Sequence, residues 1–434
     1  GIFYPENPNE ILKIFENFGE TEANYKSRAI IAPHAGYIYS GKLAYKGYHF
    51  LDKNIKNIFI IAPAHYERVY GCVTCDYDEW ETPLGNIKIN KDLSKEISNF
   101  CECQVNNHAF LREHSIEVHL PIIKKMFPNA QIVPVLYGCE NFTNLAETIS
   151  HFYNDKDNGF VISSDLSHFY PERECSKIDL YTAKMIEEKL TRDFDIEQAC
   201  GAVGICGLVD FAKRENYSLI RVGITNSAET TGDSSRVVGY GSWFLFVGDK
   251  NEYIKKYYSD FVIKICKDSI LTGLQLGNCI PETYPCVFEE SGAAFVTLEL
   301  NSELRGCIGS IKAHRPLMND LIKNAHSAAF SDPRFSPLTI DEYQNITIIV
   351  SLLSKPERII FCTEDELLNK IIPDKDGLII RDGNYQSVFL PVVWKEFPDK
   401  RQFLQELKLK AGLNKNYFSD TFEVFKFNTT TITQ

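Results

Sequence analysis

Residues 30–41, IIAPHAGYIYSG, begin as an apolar run and end in small and polar residues. The run of Ile and Ala is typical of a buried strand, and Pro33 and Gly36 predict a sharp turn directly after it. His34 lies within that turn. Because a buried strand needs no imidazole for its packing, we expect His34 to be functional if other strands bring partners to the same place.

Short apolar runs alternate with longer amphipathic segments through the first half of the chain. The predicted strands are 29–33, 57–63, 131–136, 160–163, 219–226 and 237–247. The predicted helices are 91–100, 113–127, 141–153 and 172–190. This alternation predicts an α/β domain with helices on both faces of its sheet.

Polar side chains follow three of these predicted strands. His65 follows the strand in IFIIAPAHYER, and Asp165 and His168 follow the strand in FVISSDLSHFYP. In open α/β sheets, ligands bind beyond the carboxyl ends of the strands. Imidazoles and anionic donors are the ligands of divalent first-row metals, so these residues and His34 predict a metal site at that edge.

Two groups of cysteines have more than one interpretation. Cys206, in GAVGICGLVDF, is predicted from its spacing to be a buried residue of a Gly- and Ala-rich helix. Cys72 and Cys75 form a CVTC motif and, with Cys101 and Cys103, have the residue types of a zinc cluster. The motif lies in a strand-like stretch, where an offset of three points the first two side chains to opposite faces and disfavours the cluster.

The segment FLREHSIEVHLP, residues 110–121, contains two histidines and two glutamates. His114 and His119 are five positions apart and project from different sides of a helix, which argues against a zinc protease motif. We expect His114, Glu117 and His119 to orient the metal ligands through hydrogen bonds.

The sequence pattern changes after Gly248. A polar segment, GDKNEYIKKYYSDF, leads into a helix-like region, and LRGCIGS, DPRFSPL and the apolar ITIIVSLL follow. A chain of this length also exceeds what one hydrophobic core usually supports. We therefore predict two domains, 1–249 and 250–434.

The stretch LRGCIGS predicts a Gly-rich turn in the second domain. Gly306 and Gly309 would permit a tight turn around Cys307 whose amides approach a ligand, and a plain turn between sheet and helix is the alternative. Cys307 is a candidate nucleophile. Arg334, in DPRF, either binds an anion or pairs with the neighbouring aspartate. The predicted ligand-binding residues of this domain are Arg305, Gly306, Gly309 and Arg334.

Charge and cysteine usage limit the class of protein. The formal net charge is −12, and residues 251–434 carry 21 Lys and Arg against 24 Asp and Glu, which leaves 25 against 34 for the rest. Since neither half is basic, a large nucleic-acid surface is disfavoured. The 13 irregularly spaced cysteines predict free thiols in a reducing compartment. Without an apolar run of ~18 residues or a leader sequence, we expect a cytoplasmic protein with no membrane association.

Several motifs of the first domain occur in the order seen in the Memo family. They are FYPENP, APHAGYIYSG, WETPLG, EHSIEVHLP, SSDLSH and VVGYGSW, and they cover about residues 1–247. Memo proteins look like class III extradiol dioxygenases, in which two histidines and one carboxylate hold a non-haem iron. In Memo proteins a cysteine takes the place of the carboxylate. The resemblance implies His34, His65 and Cys206 as ligands, with Asp165 and His168 beside the metal, and it replaces the structural interpretation of Cys206.

Residues 256–430, approximately, are similar to the AMMECR family. The matching motifs are GAAFVTL, LRGCIGS, NAHSAAFSDPRFSPL, VSLLS, GLII, FLPVV and KAGL. This similarity implies an α+β second domain. The two families together resemble parts of the microbial Amme-Memo-RadiSam system, which implies a radical SAM protein as a partner.

Two functions are consistent with these features. The first is a metal-dependent redox enzyme that uses Fe(II), with His168 as general base and Asp165 orienting it, and with a small molecule or peptide as substrate. A thiolate ligand is softer than a carboxylate and makes Cu or Zn alternatives to iron. The second is a binding scaffold or metal carrier without turnover.

Overall fold

The strand predicted around Ile30 lies inside a large mixed sheet. The structure is a computed structural model and describes residues 1–100, 103–138, 141–192, 194–277 and 280–434. The chain divides into two units, Gly1–Lys250 and Asn251–Gln434. The first is a mixed α/β unit and the second is α+β, which confirms the predicted fold classes. Among the described residues, no helix is both long and apolar enough to span a bilayer.

The first unit alternates strands with helices along most of its length. Its strands are β1 (Ala29–Ala32), β2 (Asn57–Pro63), β3 (Cys72–Thr74), β4 (Glu79–Trp80), β5 (Ile87–Lys88), β6 (Gln104–Val105), β7 (Gln131–Tyr137), β8 (Asn158–Ser163), β9 (His168–Tyr170), β10 (Ser218–Asn226) and β11 (Val237–Phe246). Its helices are α1 (Pro8–Phe18), α2 (Lys42–Tyr48), α3 (Lys91–Phe100), α4 (His114–Glu117), α5 (Leu120–Met126), α6 (Phe142–Tyr153), α7 (Glu172–Glu187), α8 (Ala202–Arg214) and α9 (Ala228–Thr231).

The order of strands in the main sheet is β10-β11-β1-β8-β2-β7-β3-β6. Its central strands β1, β8, β2 and β7 are parallel, whereas β11 runs antiparallel to β1 and β3 antiparallel to β7. Because β1, β8 and β2 are adjacent and parallel, their carboxyl ends open at one edge of the sheet.

Both faces of the sheet are covered. Every residue of β1 is buried. Ala29 and Ile31 pack in a core cluster with Leu145 of α6 and Leu208 of α8. On the opposite face α2 packs so closely that a Cβ at Gly47 would lie 2.4 Å from the Ser242 hydroxyl on β11. Helices on both faces were predicted from the alternation of elements, and the structure confirms them.

The single helix predicted over 113–127 is instead two short helices, α4 and α5. The Glu113 carboxylate accepts a hydrogen bond from the Ser115 amide and caps α4, which ends at Glu117. Pro121 occupies the first turn of α5, where its missing N–H breaks no helical hydrogen bond. The break gives His114 and His119 separate positions rather than two places on one helix.

The second unit contains two four-stranded antiparallel sheets, ordered β14-β13-β16-β21 and β17-β20-β18-β19. Its strands are β12 (Ser291–Gly292), β13 (Ala294–Leu300), β14 (Glu303–Gly309), β15 (Arg315–Pro316), β16 (Ile346–Leu353), β17 (Glu357–Ile359), β18 (Gly377–Asp382), β19 (Tyr385–Phe389), β20 (Glu423–Phe427) and β21 (Thr429–Thr433). Its helices are α10 (Lys250–Gly273), α11 (Leu317–Phe330), α12 (Ile340–Tyr343), α13 (Glu364–Lys370) and α14 (Lys400–Lys410).

The prediction of a turn at LRGCIGS is wrong, because this segment is strand β14. Its glycines serve close packing instead. A Cβ at Gly306 would lie 2.1 Å from the carbonyl oxygen of Ala328 on α11, and one at Gly309 would lie 2.2 Å from the Phe295 ring. Glycine lets the helix and the ring approach the strand at these two positions.

Substitution of Gly306 by alanine tests this packing. We expect Gly306→Ala to lower the free energy of unfolding by about 1–3 kcal/mol, because the added methyl group forces α11 away from β14. Urea unfolding of the full chain, compared with Thr431→Ala at an exposed position of the same sheet, measures the difference. Equal stability of the two variants would contradict the packing role.

Candidate metal centre

Three neighbouring strands bring side chains to one edge of the main sheet. His34, His65 and Asp165 each lie two residues beyond the end of a parallel strand, β1, β2 and β8 respectively. The parallel register of these strands therefore places the three residues together. These positions at the ends of the strands agree with the prediction from the sequence.

Three imidazoles form a group that could hold a metal ion. One ring nitrogen from each of His34, His65 and His114 lies within 4.8 Å of the other two, and no other group of three or more His, Cys, Asp or Glu in the described part of the chain is so arranged. His114 enters the group because Ser115 donates to the Pro63 carbonyl (2.8 Å), which holds the start of α4 against the end of β2. Sequence spacing predicted only an orienting role for His114.

One hydroxyl sets the tautomer of His34. Ser163 Oγ donates its proton to the Ser115 carbonyl (2.6 Å), so the 2.7 Å contact with His34 Nδ1 and the 2.9 Å contact with His119 Nε2 must be donated by the two rings. A neutral His34 that carries its proton on Nδ1 has a bare Nε2. Burial, followed by the nearby histidines His65 and His114, holds the pKa of His34 well below its usual value.

A carboxylate orients His65 in the same way. Glu113 accepts hydrogen bonds from the His65 amide (2.6 Å) and Nδ1 (2.9 Å). Burial alone would raise the pKa of Glu113, but these bonds and one from the Ser115 amide lower it to about 2. The charged carboxylate holds the Nδ1 proton of His65, as in the carboxylate–histidine pairs of metal sites, so in the neutral ring the bare nitrogen is Nε2.

The sulfur beside the imidazoles belongs to Cys200 and not to Cys206. Cys200 Sγ lies 3.4 Å from His34 Nε2. Neither cysteine belongs to the group of three imidazoles, but the Cys200 sulfur contacts a ring of that group. Cys206 is buried within α8, and the charge felt by its thiol is that of Asp210. The Cys206 assignment is therefore corrected. Burial and then the charge of Asp165 raise the pKa of the Cys200 thiol to about 12.

Asp165 and His168 lie beside this group. Asp165 Oδ1 accepts the His34 amide (2.8 Å), Oδ2 is 3.9 Å from His34 Nε2, and burial raises the carboxyl pKa to about 7. His168 Nδ1 donates to the Leu166 carbonyl (2.8 Å), and burial lowers the pKa of the ring. A neutral His168 thus keeps a bare Nε2. The next residue, Phe169, has a φ of 64°, a strained backbone of the kind found near functional sites.

Glu117 and His119 have different roles from one another. Tyr4 donates to Glu117 (3.0 Å), so this carboxylate anchors the N-terminal segment rather than a metal ligand. Phe3 of that segment stacks on His114, with ring centroids 4.6 Å apart. His119 reaches the centre only through Ser163, and its Nδ1 is buried without a hydrogen-bond partner.

The residues predicted for the second domain lie within the second unit. Arg305 is a buried ion-pair partner of Glu342, at 2.8 Å, and not an exposed ligand-binding group. Arg334 pairs with Asp332, at 2.7 Å, and its side chain remains half exposed. Of the cysteines considered for a zinc cluster, Cys101 lies outside the described residues. Those described belong to no metal-binding group.

Family models match both units. The model described as Memo-like protein matches residues 1–244, and the AMMECR1 model matches residues 263–432.

Individual relatives match the first part of the chain most clearly. A MEMO1 family protein of Thermoplasma acidophilum is 31% identical over 260 residues, which is 56% of this chain and 95% of the relative. A MEMO1 family protein of Aquifex aeolicus is 31% identical over 259 residues, 56% of this chain and 97% of the relative. The crystal structure of an uncharacterized protein from Pyrococcus horikoshii shares 32% identity, with a TM-score of 0.38, over 40% of this chain and 89% of that one.

Removal of the Ser163 hydroxyl tests its orienting role. We expect Ser163→Ala to weaken divalent metal binding about 10–100-fold, as for other hydrogen-bond partners of ligand histidines. Titration of the apo protein with a competing chromogenic chelator measures the change. Ser94→Ala is the matched control, because the Ser94 hydroxyl is buried without a partner on α3. Equal metal affinity of both variants would refute the role.

Proposed function

This chain belongs to the Memo-like family, and we propose that its first unit is a metal-dependent oxidoreductase with iron(II) as the metal. The observation that supports this most directly is the convergence of three imidazoles and the Cys200 thiol at the carboxyl edge of the sheet. We propose a radical SAM protein as its partner, and a small molecule or peptide as its substrate.

The donor atoms fit a first-row divalent ion. In the neutral rings of His34 and His65, Nε2 is the nitrogen available to a metal, because the Nδ1 atoms donate to Ser163 and Glu113. Neutral imidazole and thiolate are ligand types for such ions. Cys200 would lose its proton on binding, so metal uptake releases a proton. A bound iron would supply Lewis acidity and one-electron redox chemistry.

His168 and Asp165 would accept and release protons during the reaction. His168 has a bare Nε2 because its Nδ1 donates to a carbonyl, so it would act as the general base. Asp165, with its pKa near 7, can hold or release a proton at neutral pH. Its Oδ1 also fixes the backbone of His34, which couples this carboxyl to the position of the ligand.

The choice of iron rests on the resemblance of the family to class III extradiol dioxygenases. The thiol instead favours other metals, because a soft sulfur donor binds Cu(I) or Zn(II) more readily than a carboxylate does. Copper and zinc are therefore the alternatives that metal analysis has to separate from iron.

One observation favours a second function, that of a metal carrier or binding scaffold. With His114 included, the protein offers four donors, His34, His65, His114 and Cys200. Four protein ligands would close a tetrahedral site, whereas a catalytic site keeps one position open. The role of His114 therefore distinguishes the two functions.

Paired cysteine variants test the ligand assignment. We expect Cys200→Ala, like His34→Ala and His65→Ala, to lose the bound metal, and Cys206→Ala to retain it. Elemental analysis after anaerobic purification gives the metal content per chain. Metal retained by Cys200→Ala and lost from Cys206→Ala would reverse the assignment.

A His114→Ala variant tests whether the site is open. If the site is that of an enzyme, we expect His114→Ala to keep its metal. We also expect the iron(II)-loaded wild type to bind nitric oxide at the open coordination position and to give the EPR signal of the adduct. Loss of metal from His114→Ala, with no signal from the wild type, would instead establish a closed site and support the carrier function.

A further inference from the structure

A thiol lies on the less buried face of the first sheet in the second unit. Cys307 on β14 pairs in register with Thr297 on β13, and the Thr297 hydroxyl donates to the sulfur at 3.2 Å. Both residues are half-buried, while the alternate residues Val296 and Leu298 of β13 are fully buried on the other face. The thiol is therefore reachable from solvent and already accepts one hydrogen bond.

An ion pair holds a guanidinium beside Cys307. Asp332 Oδ2 accepts the Cys307 amide (2.8 Å) and Arg334 Nη2 (2.7 Å). Arg334 Nη2 also lies 3.3 Å from the Cys307 carbonyl oxygen. The strand and the DPRF segment thus fix each other, and the half-exposed guanidinium remains beside the cysteine.

A second cation lies in the same region. Lys410, at the end of α14, donates to the Val388 carbonyl (3.0 Å) and lies 5.0 Å from the centre of the Phe389 ring. Val388 and Phe295, the ring over Gly309, pack on the same small apolar cluster. This packing brings the lysine toward the cysteine strand.

Electrostatic effects agree with this placement. Loss of surrounding water and then the charge of Arg334 lower the pKa of Lys410, while a Cys307 thiolate would raise it. The hydrogen-bond partner of the Lys410 ammonium is the neutral Val388 carbonyl rather than a carboxylate. Asp332 is already paired with Arg334, so the charge of Lys410 is left to pair with an anion.

We propose that Cys307, Arg334 and Lys410 form a binding site for a small carboxylate- or phosphate-bearing ligand, with the thiol facing the bound anion. Arg and Lys are the usual partners of both groups. All three residues lie within the second unit.

Alkylation of the full chain tests the site. The thiolate displaces iodide from either reagent, forming a carbon–sulfur bond and releasing the thiol proton to solvent. We expect the ratio of the iodoacetate rate to the iodoacetamide rate to be about threefold higher at Cys307 than at the exposed Cys362, as for one unpaired charge roughly 6 Å from the reagent in water. Peptide mass spectrometry follows both cysteines in one sample.

Two lysine variants give the control. Lys410→Met should lower the ratio at Cys307 about threefold relative to the wild type, and Lys415→Met, at an exposed lysine paired with Glu406, should leave it unchanged. Equal ratios at the two cysteines in the wild type, or no effect of Lys410→Met, would overturn the proposal.

Competition with anions identifies the ligand chemistry. At constant ionic strength, replacement of chloride by inorganic phosphate or by acetate should slow the reaction of Cys307 with iodoacetamide and leave Cys362 unaffected. Protection by phosphate indicates a phosphate-bearing ligand, and protection by acetate a carboxylate. Failure of both anions to protect Cys307 would contradict an anion-binding site.

Discussion

The single proton of the Ser163 hydroxyl constrains the whole metal centre. That proton goes to the Ser115 carbonyl, so His34 and His119 must both donate to the oxygen. A neutral His34 therefore has a bare Nε2. The same hydrogen bond from Ser163 to Ser115 connects the end of β8 to α4. Ser163 ends the strand between β1 and β2, so the parallel register of the sheet positions the hydroxyl.

The central strands and two histidines of the candidate metal centre could be predicted from the sequence because both depend on local patterns. Strand β2 has the predicted bounds, and His34 and His65 follow their strands by two residues. The sequence predicts only an orienting role for His114 because the segment 113–127 resembles one continuous helix, on which His114 and His119 would face different sides. Two helices replace it, and a contact distant in sequence, from Ser115 to Pro63, sets the position of His114.

The choice between the two cysteines shows a different limit of sequence reasoning. Both Cys200 and Cys206 precede a glycine near α8, and a motif alone does not distinguish a loop residue from a residue one turn into the helix. Gly201, which follows Cys200, is the residue whose environment distinguishes the two cysteines. A Cβ there would lie 2.5 Å from Ser164 Cβ, and its amide donates to the Ser164 hydroxyl at 2.9 Å. Glycine thus lets the loop approach the end of β8, which brings the preceding sulfur to His34.

The glycines of LRGCIGS predict a turn, although the segment is a strand. A sequence shows that glycine is required but not whether the requirement is a positive φ or a close neighbour. In β14 the neighbours are the α11 backbone at Gly306 and the Phe295 ring at Gly309. Because the segment is a strand, it does not form a turn whose amides surround a ligand, and the Cys307 amide donates to Asp332. Recognition at Cys307 must then come from side chains, which is why the charges of Arg334 and Lys410 determine what this face can bind.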